Sequence, residues 1–284
     1  MNTPSHTPFQ FAPWFLRFLK GLVIWYFILG AALYFVQRNM LYHPIALSPD
    51  AFHQKVVKAF GEKVEILPGF DAVVVEPQGP AKATAILFHG NGGNGIDRAI
   101  LAPNFLNRGY RLVLAEYPGY AARKGPISEE ALVSDANKLY VEVRRRYPDQ
   151  LITVVGESLG SGIASQVAGA AVTPPGALVL ITPYARMADV TQKNMPMYPT
   201  RVILRDQYDS AKAISRYKGP IRILVSDKDE LVGPETGLRL YEAAQLRGST
   251  SLLRLPNGGH NTWVFQLSSK DWDQLLGPRV TANH

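Results

Sequence analysis

Ile152-Thr153-Val154-Val155-Gly156-Glu157-Ser158-Leu159-Gly160-Ser161 is the stretch on which the fold turns. A short apolar run suited to a strand breaks into G-x-S-x-G, and small residues suited to opening a helix follow. A serine held in a tight strand-to-helix turn is strained, and glycines two before and two after it let neighbouring backbone pass without side-chain clashes. Outward from this turn the chain alternates. Strands are expected at Val64 to Leu67, Ala72 to Val75, Thr84 to Phe88, Arg111 to Ala115, Ile152 to Val155, Ala177 to Ile181, Ile221 to Val225 and Ser251 to Leu255. The first two, divided by Pro68 and Gly69, read as an antiparallel pair. Helical spacing covers 96–108, 128–147, 159–171 and 234–247. Near-continuous apolar strands alternating with helices predict an α/β fold, a mostly parallel doubly wound sheet flanked by helices. Sites in such sheets lie just past the carboxyl ends of strands.

The chain has 284 residues, enough for one large α/β domain around one core, and 46% of them are hydrophobic, which excludes disordered and fibrous classes. Thirty Lys and Arg against 23 Asp and Glu give a net charge of +7. The tightest basic cluster, Arg144 to Arg146, closes a helix, where cations complement the helix dipole, so no nucleic-acid partner is expected. Without cysteine there is no disulfide, thiolate nucleophile or Cys-ligated metal. Neither metal nor organic cofactor is expected.

Gly21 to Val36 is uncharged, and Trp14, Phe15, Leu16, Phe18 and Leu19 extend its apolar character past Arg17 and Lys20. A spanning helix needs about 20 residues, which snorkelling Lys20 and Arg17 bring within reach. The bilayer is therefore an expected partner through one N-terminal helix, a cleaved signal peptide being the alternative. The division expected is a tail at 1–13, an anchor at 14–37, a juxtamembrane linker at 38–60, and an α/β domain at 61–284 with a short cap near 185–218. Charges at Arg17, Lys20 and Arg38 place that domain on the non-cytoplasmic side, an assignment that a reporter fused after His284 would check.

A serine hydroxyl needs a histidine base oriented by a carboxylate, and behind a nucleophile of this kind the acid comes first and the histidine second. His6, His43, His53 and His89 all precede Ser158, leaving His260, in a flexible turn after Asn257, Gly258 and Gly259, and the terminal His284. Asp227, Asp229 and Glu230 compete for the acid position after the strand at 221–225. Acyl transfer also needs backbone N–H donors aimed at an oxyanion. Leu159, directly after the serine, is one candidate, and Asn91, in the His89-Gly90-Asn91-Gly92-Gly93-Asn94 loop, is the second. That loop lacks the G-K-[ST] ending of a phosphate-binding loop. His89 is expected to pack and hydrogen-bond near its strand end.

These residues resemble the α/β-hydrolase superfamily, in particular membrane-anchored serine hydrolases related to lysophospholipases, monoacylglycerol lipases and depalmitoylating enzymes. The features that match are Leu41-Tyr42-His43-Pro44, the loop from His89 to Asn94, Glu116-Tyr117-Pro118-Gly119-Tyr120, the G-x-S-x-G turn, Asp229 with Val232, and Gly259-His260. The resemblance selects Asp229 over Asp227, although Ser226 stands where relatives have glycine in a G-x-x-D-x-x-V setting. Pro118-Gly119-Tyr120-Ala121 stands where they tend to have R-G-Y-G, so substrate preference does not carry over. It implies a catalytic Ser158, Asp229 and His260 with an oxyanion hole of Asn91 and Leu159, acting on ester or thioester bonds of lipid-like or acylated substrates. A peptidase or acyltransferase on the same residues, or a non-catalytic membrane-bound scaffold, are the competing readings. A dehalogenase or epoxide hydrolase is disfavoured, because those place aspartate where Ser158 stands.

Overall fold

The computed structural model of the chain describes residues 13–277. His6, His284 and all of the expected 1–13 tail except Pro13 lie outside the described residues. Helix α1 (Pro13–Leu41) has 29 residues, none buried, and by length and composition it is able to cross a membrane. It contains the expected 14–37 span and continues to Leu41. The chain divides into two compact units between Gln37 and Arg38.

The segment 38–60 is not the linker expected from sequence, because it carries strand β1 (His43–Pro44) and helix α2 (Pro49–Phe60). Ser48 Oγ accepts from the Ala51 N–H at 3.1 Å, Pro49 occupies the first turn and Gly61 ends the helix. Phe52 and Val56, four residues apart on one face, are buried in the core. Then follow β2 (Glu65–Leu67), β3 (Ala72–Val75), β4 (Ala83–Phe88), β5 (Gly92–Gly93), a 3-10 helix (Gly95–Leu101), α3 (Ala102–Leu106) and β6 (Tyr110–Leu114). The single helix expected at 96–108 is thus two pieces, and Pro103, which has no N–H to donate, falls at their junction. The remainder is α4 (Glu129–Arg146), β7 (Leu151–Glu157), α5 (Leu159–Ala170), β8 (Ala177–Ile181), α6 (Met187–Asn194), α7 (Thr200–Ile203), α8 (Ser210–Ile214), β9 (Ile221–Ser226), α9 (Pro234–Gln245), β10 (Thr250–Leu255), a second 3-10 helix (Trp263–Phe265) and α10 (Ser269–Leu276).

Eight strands form one sheet in the order β10-β9-β8-β7-β4-β6-β3-β2, all pairings parallel except the two made by β3, which runs antiparallel to both β6 and β2. The chain moves outward from β4 through β6 on one side and from β7 through β8, β9 and β10 on the other. The point where the winding reverses therefore lies at the carboxyl ends of β4 and β7, the place where ligands sit in sheets of this kind. Both faces are covered. In β8, Leu178 and Leu180 enter one core while Val179 and Ile181 enter the other, which is why the strand reads as unbroken apolar sequence. Within 185–218 Met187 is buried and Met197 is exposed.

Candidate active site

Ser158 begins at the turn between β7 and α5. Its backbone has φ +51° and ψ −118°, a conformation that a non-glycine residue adopts only when its surroundings impose it. The Ser158 N–H donates to the Ile181 carbonyl at 2.9 Å, and its carbonyl accepts from the Ser161 N–H at 2.8 Å and Oγ at 2.6 Å. The flanking glycines have specific causes. A Cβ on Gly160 would press into the Phe88 carbonyl, and one on Gly156 into the Gly160 carbonyl. The intervening Glu157 is buried and pairs with Arg98 Nε, bracing the turn against the segment after β5. The sequence reading missed Arg98; an arginine shortly after a glycine-rich loop was the available signal.

The structure brings Ser158, His260 and Asp229 together across 102 and 31 residues of sequence. His260 Nε2 lies 2.8 Å from Ser158 Oγ, and its Nδ1 lies 2.7 Å from Asp229 Oδ2. His260 and Asp229 are both buried, whereas Ser158 is partly exposed. The histidine turn is held by the Lys228 N–H bonding the Gly258 carbonyl at 2.9 Å and the Gly259 N–H bonding Thr262 Oγ1 at 3.0 Å. Asp229 Oδ1 accepts from the N–H groups of Val232 at 2.8 Å and Leu231 at 3.1 Å, which leaves Oδ2 for the imidazole. Ser226 substitutes for glycine without strain, since it is not among the residues of positive φ. Asp227, the competing acid, instead faces Arg254 at 3.0 Å, and Glu230 is exposed.

Burial pushes the Asp229 carboxyl up, but the hydrogen bond and charge of His260, with the backbone N–H groups of Val232 and Gly233, outweigh it and hold the carboxyl below its usual range. A carboxyl depressed by folding stabilises the protein at pH values above its unfolded pKa, about 3.9, and that stabilisation is lost as pH falls through the lower folded value. Thermal melting from about pH 6 to about pH 3 should therefore show the stability gap between the native chain and Asp229→Asn closing as acid is added. A gap that stays constant would contradict the assignment.

Leu159 opens α5, and the Ser158 side chain does not cap this helix; within its first turn the Ser161 N–H is taken by the Ser158 carbonyl. At the end of β4 a Cβ on Gly90 would lie 3.6 Å from the Ser158 Cβ, so the loop from His89 to Asn94 begins against the serine. His89 is fully buried, stacked on Tyr117 with ring centroids 4.2 Å apart. Its Nδ1 meets the Gly90 carbonyl at 2.8 Å and its Nε2 meets Glu116 at 3.2 Å. In a trans peptide the C=O and N–H point oppositely, so fixing the Gly90 carbonyl also fixes the direction of the Asn91 N–H. Glu116 further accepts from the Gly95 N–H at 2.9 Å, which ties β6 to the loop. Among the described residues no group of three or more His, Asp or Glu is arranged to hold a metal.

The sequence pattern of the alpha/beta hydrolase fold matches residues 86–207. An uncharacterized protein of Mycobacterium tuberculosis strain H37Rv is 30% identical over 212 residues, 69% of this chain and 74% of that protein. Lysophosphatidylserine lipase ABHD12 of Danio rerio is 26% identical over 177 residues, 56% of this chain and 46% of its own length, so the chain spans about half of that relative. Among solved structures, the Pyrococcus furiosus esterase Pf2001 superposes with a TM-score of 0.62 at 15% identity, over 83% of this chain and 96% of that one.

Proposed function

Because this chain belongs to the α/β-hydrolase superfamily, we propose that it is a serine hydrolase that cleaves carboxylic ester or thioester bonds through an acyl-enzyme. One observation carries the reading: Ser158 Oγ, His260 and Asp229 form a continuous hydrogen-bonded line, 2.8 Å and 2.7 Å, at the point where the sheet reverses its winding. His260 Nε2 takes the Ser158 proton as Oγ attacks the acyl carbonyl. The Leu159 and Asn91 N–H groups receive the negative charge that develops on the carbonyl oxygen. Collapse of the tetrahedral species breaks the bond to the alcohol or thiol, which leaves with the proton from His260. Water then attacks the acyl-serine, His260 takes its proton, and the acid departs as Ser158 regains a hydrogen. Asp229 holds Nδ1–H and balances the transient imidazolium.

Two features favour a lipid-like acyl donor: helix α1, which would hold the enzyme at a bilayer, and the likeness to a relative named as a lysophosphatidylserine lipase. Turnover of p-nitrophenyl esters from acetyl to palmitoyl, dispersed and in micelles, should rise with chain length and with micelle formation. Equal rates throughout would remove the lipid part of the proposal. Faster cleavage of the matching anilides would favour a peptidase.

A further inference from the structure

The Leu41-Tyr42-His43-Pro44 motif has no part in the chemistry above, yet hydrogen bonds hold its segment from two sides. On one side lies a buried carboxylate: Arg38 donates to both oxygens of Asp206, Nε at 2.8 Å and Nη2 at 2.9 Å. The Tyr42 hydroxyl donates to the same carboxylate at 3.1 Å and accepts from the Tyr208 hydroxyl at 2.9 Å. Asp206 also accepts from the Glu129 N–H at 3.2 Å, which ties this cluster to the start of α4. On the other side lies the loop that begins against Ser158. Asn91 Nδ2 donates to the carbonyl of Leu41, the last residue of α1, at 2.9 Å. The Asn91 carbonyl accepts from the His43 N–H at 3.0 Å and from the Tyr120 hydroxyl at 2.9 Å. His43 and Pro44 then pair in parallel with Gly92 and Gly93.

Three of the six residues in the His89 to Asn94 loop are glycine, the residue that loses most conformational freedom on being ordered. An oxyanion donor is effective only if it is aimed before the charge appears. We propose that residues 38–44, the last turn of α1 and the two-residue strand after it, are a positioning element for the Asn91 N–H. The end of the apolar helix then contributes to turnover as well as to tethering. This rests on Asn91 being an oxyanion donor of the proposed hydrolase. His89 sets the peptide from one side through the Gly90 carbonyl, and residues 38–44, the arm, set it from the other through the Asn91 side chain and carbonyl.

The test uses the full chain in phosphatidylcholine nanodiscs, with a p-nitrophenyl ester as substrate and an alkyl trifluoromethyl ketone as a mimic of the tetrahedral oxyanion. Asn91→Ala keeps the backbone donor and removes its bond to Leu41. Arg38→Met releases Asp206 at similar side-chain length, and Tyr42→Phe, which loses only a hydroxyl, is the mildest probe of the same cluster. For Asn91→Ala and Arg38→Met, kcat should fall about 10- to 100-fold with KM changed by less than about twofold, because a donor displaced by about 1 Å weakens the transition state selectively. Affinity for the ketone should fall by the same factor as kcat/KM. Unchanged kcat and ketone affinity, or losses that follow only the folded fraction seen in melting, overturn the proposal. Ser158→Ala separates the two readings: if it abolishes turnover while the arm variants are silent, only the arm proposal fails, and if turnover survives it, the hydrolase reading fails first.

Discussion

Ser158→Ala is expected to lower ester turnover by about 10⁴- to 10⁶-fold while leaving the fold intact. In the proposed mechanism the hydroxyl is the nucleophile, and its removal would leave only binding and the proposed oxyanion donors to accelerate hydrolysis. Stability should change little, because the backbone strain at φ +51° remains and only one hydroxyl, bonded to His260 Nε2, is lost. His260→Ala should cost a similar factor, and the Ser158→Ala, His260→Ala double variant should be no slower than either alone, since the two act as one unit. Steady-state kinetics beside circular-dichroism melting measures both quantities. A Ser158→Ala enzyme within tenfold of the native rate, or a double variant slower by the product of the single effects, would show that the 2.8 Å contact is not used.

Asp229→Asn should lower kcat by about 10⁴-fold, a magnitude seen where an amide replaces the orienting carboxylate of such a relay. The surroundings of Asp229 explain why an isosteric change is so costly. The Val232 and Leu231 N–H groups occupy Oδ1, so an asparagine would keep its oxygen there and turn its NH₂ toward His260 Nδ1. Nδ1 would then have to accept, the ring proton would move to Nε2, and the base facing Ser158 would be gone. Asp227→Asn is the control, because Asp227 sits against Arg254 in a partly exposed pair, and exposed pairs contribute about 1 kcal/mol or less. A larger loss from Asp227→Asn than from Asp229→Asn would reverse the assignment of the acid.

What could be read from sequence followed the strength of local signals. Ala72–Val75 and Ala177–Ile181 were legible to the residue because buried strands leave unbroken apolar runs between turn residues. The turn at Ser158 was legible because its glycines answer to backbone contacts that allow no side chain. Helix α2 went unread although Ser48, Pro49 and Gly61 bracket it and Phe52 and Val56 share a face, because proximity to the apolar helix suggested a linker. The pairing of His43 and Pro44 with Gly92 and Gly93 had no signal at all: two-residue strands show no periodicity, and their partners are 49 residues apart (92 minus 43). Asp229 and Asp227 were separable only by resemblance. The choice depends on which carboxylate the turn after β9 aims at the imidazole, and hydrogen bonds from Val232 and Leu231 set that aim.

The proposed chemistry requires Ser158 to be a nucleophile activated in the folded protein. Incubation of the native chain with a fluorophosphonate, followed by intact mass and peptide mapping, measures this directly. One phosphonyl adduct per chain on Ser158, absent after heat unfolding and absent from Asp229→Asn on the same timescale, is the predicted result. A folded chain that takes up no adduct, or carries it on a residue other than Ser158, would contradict the account.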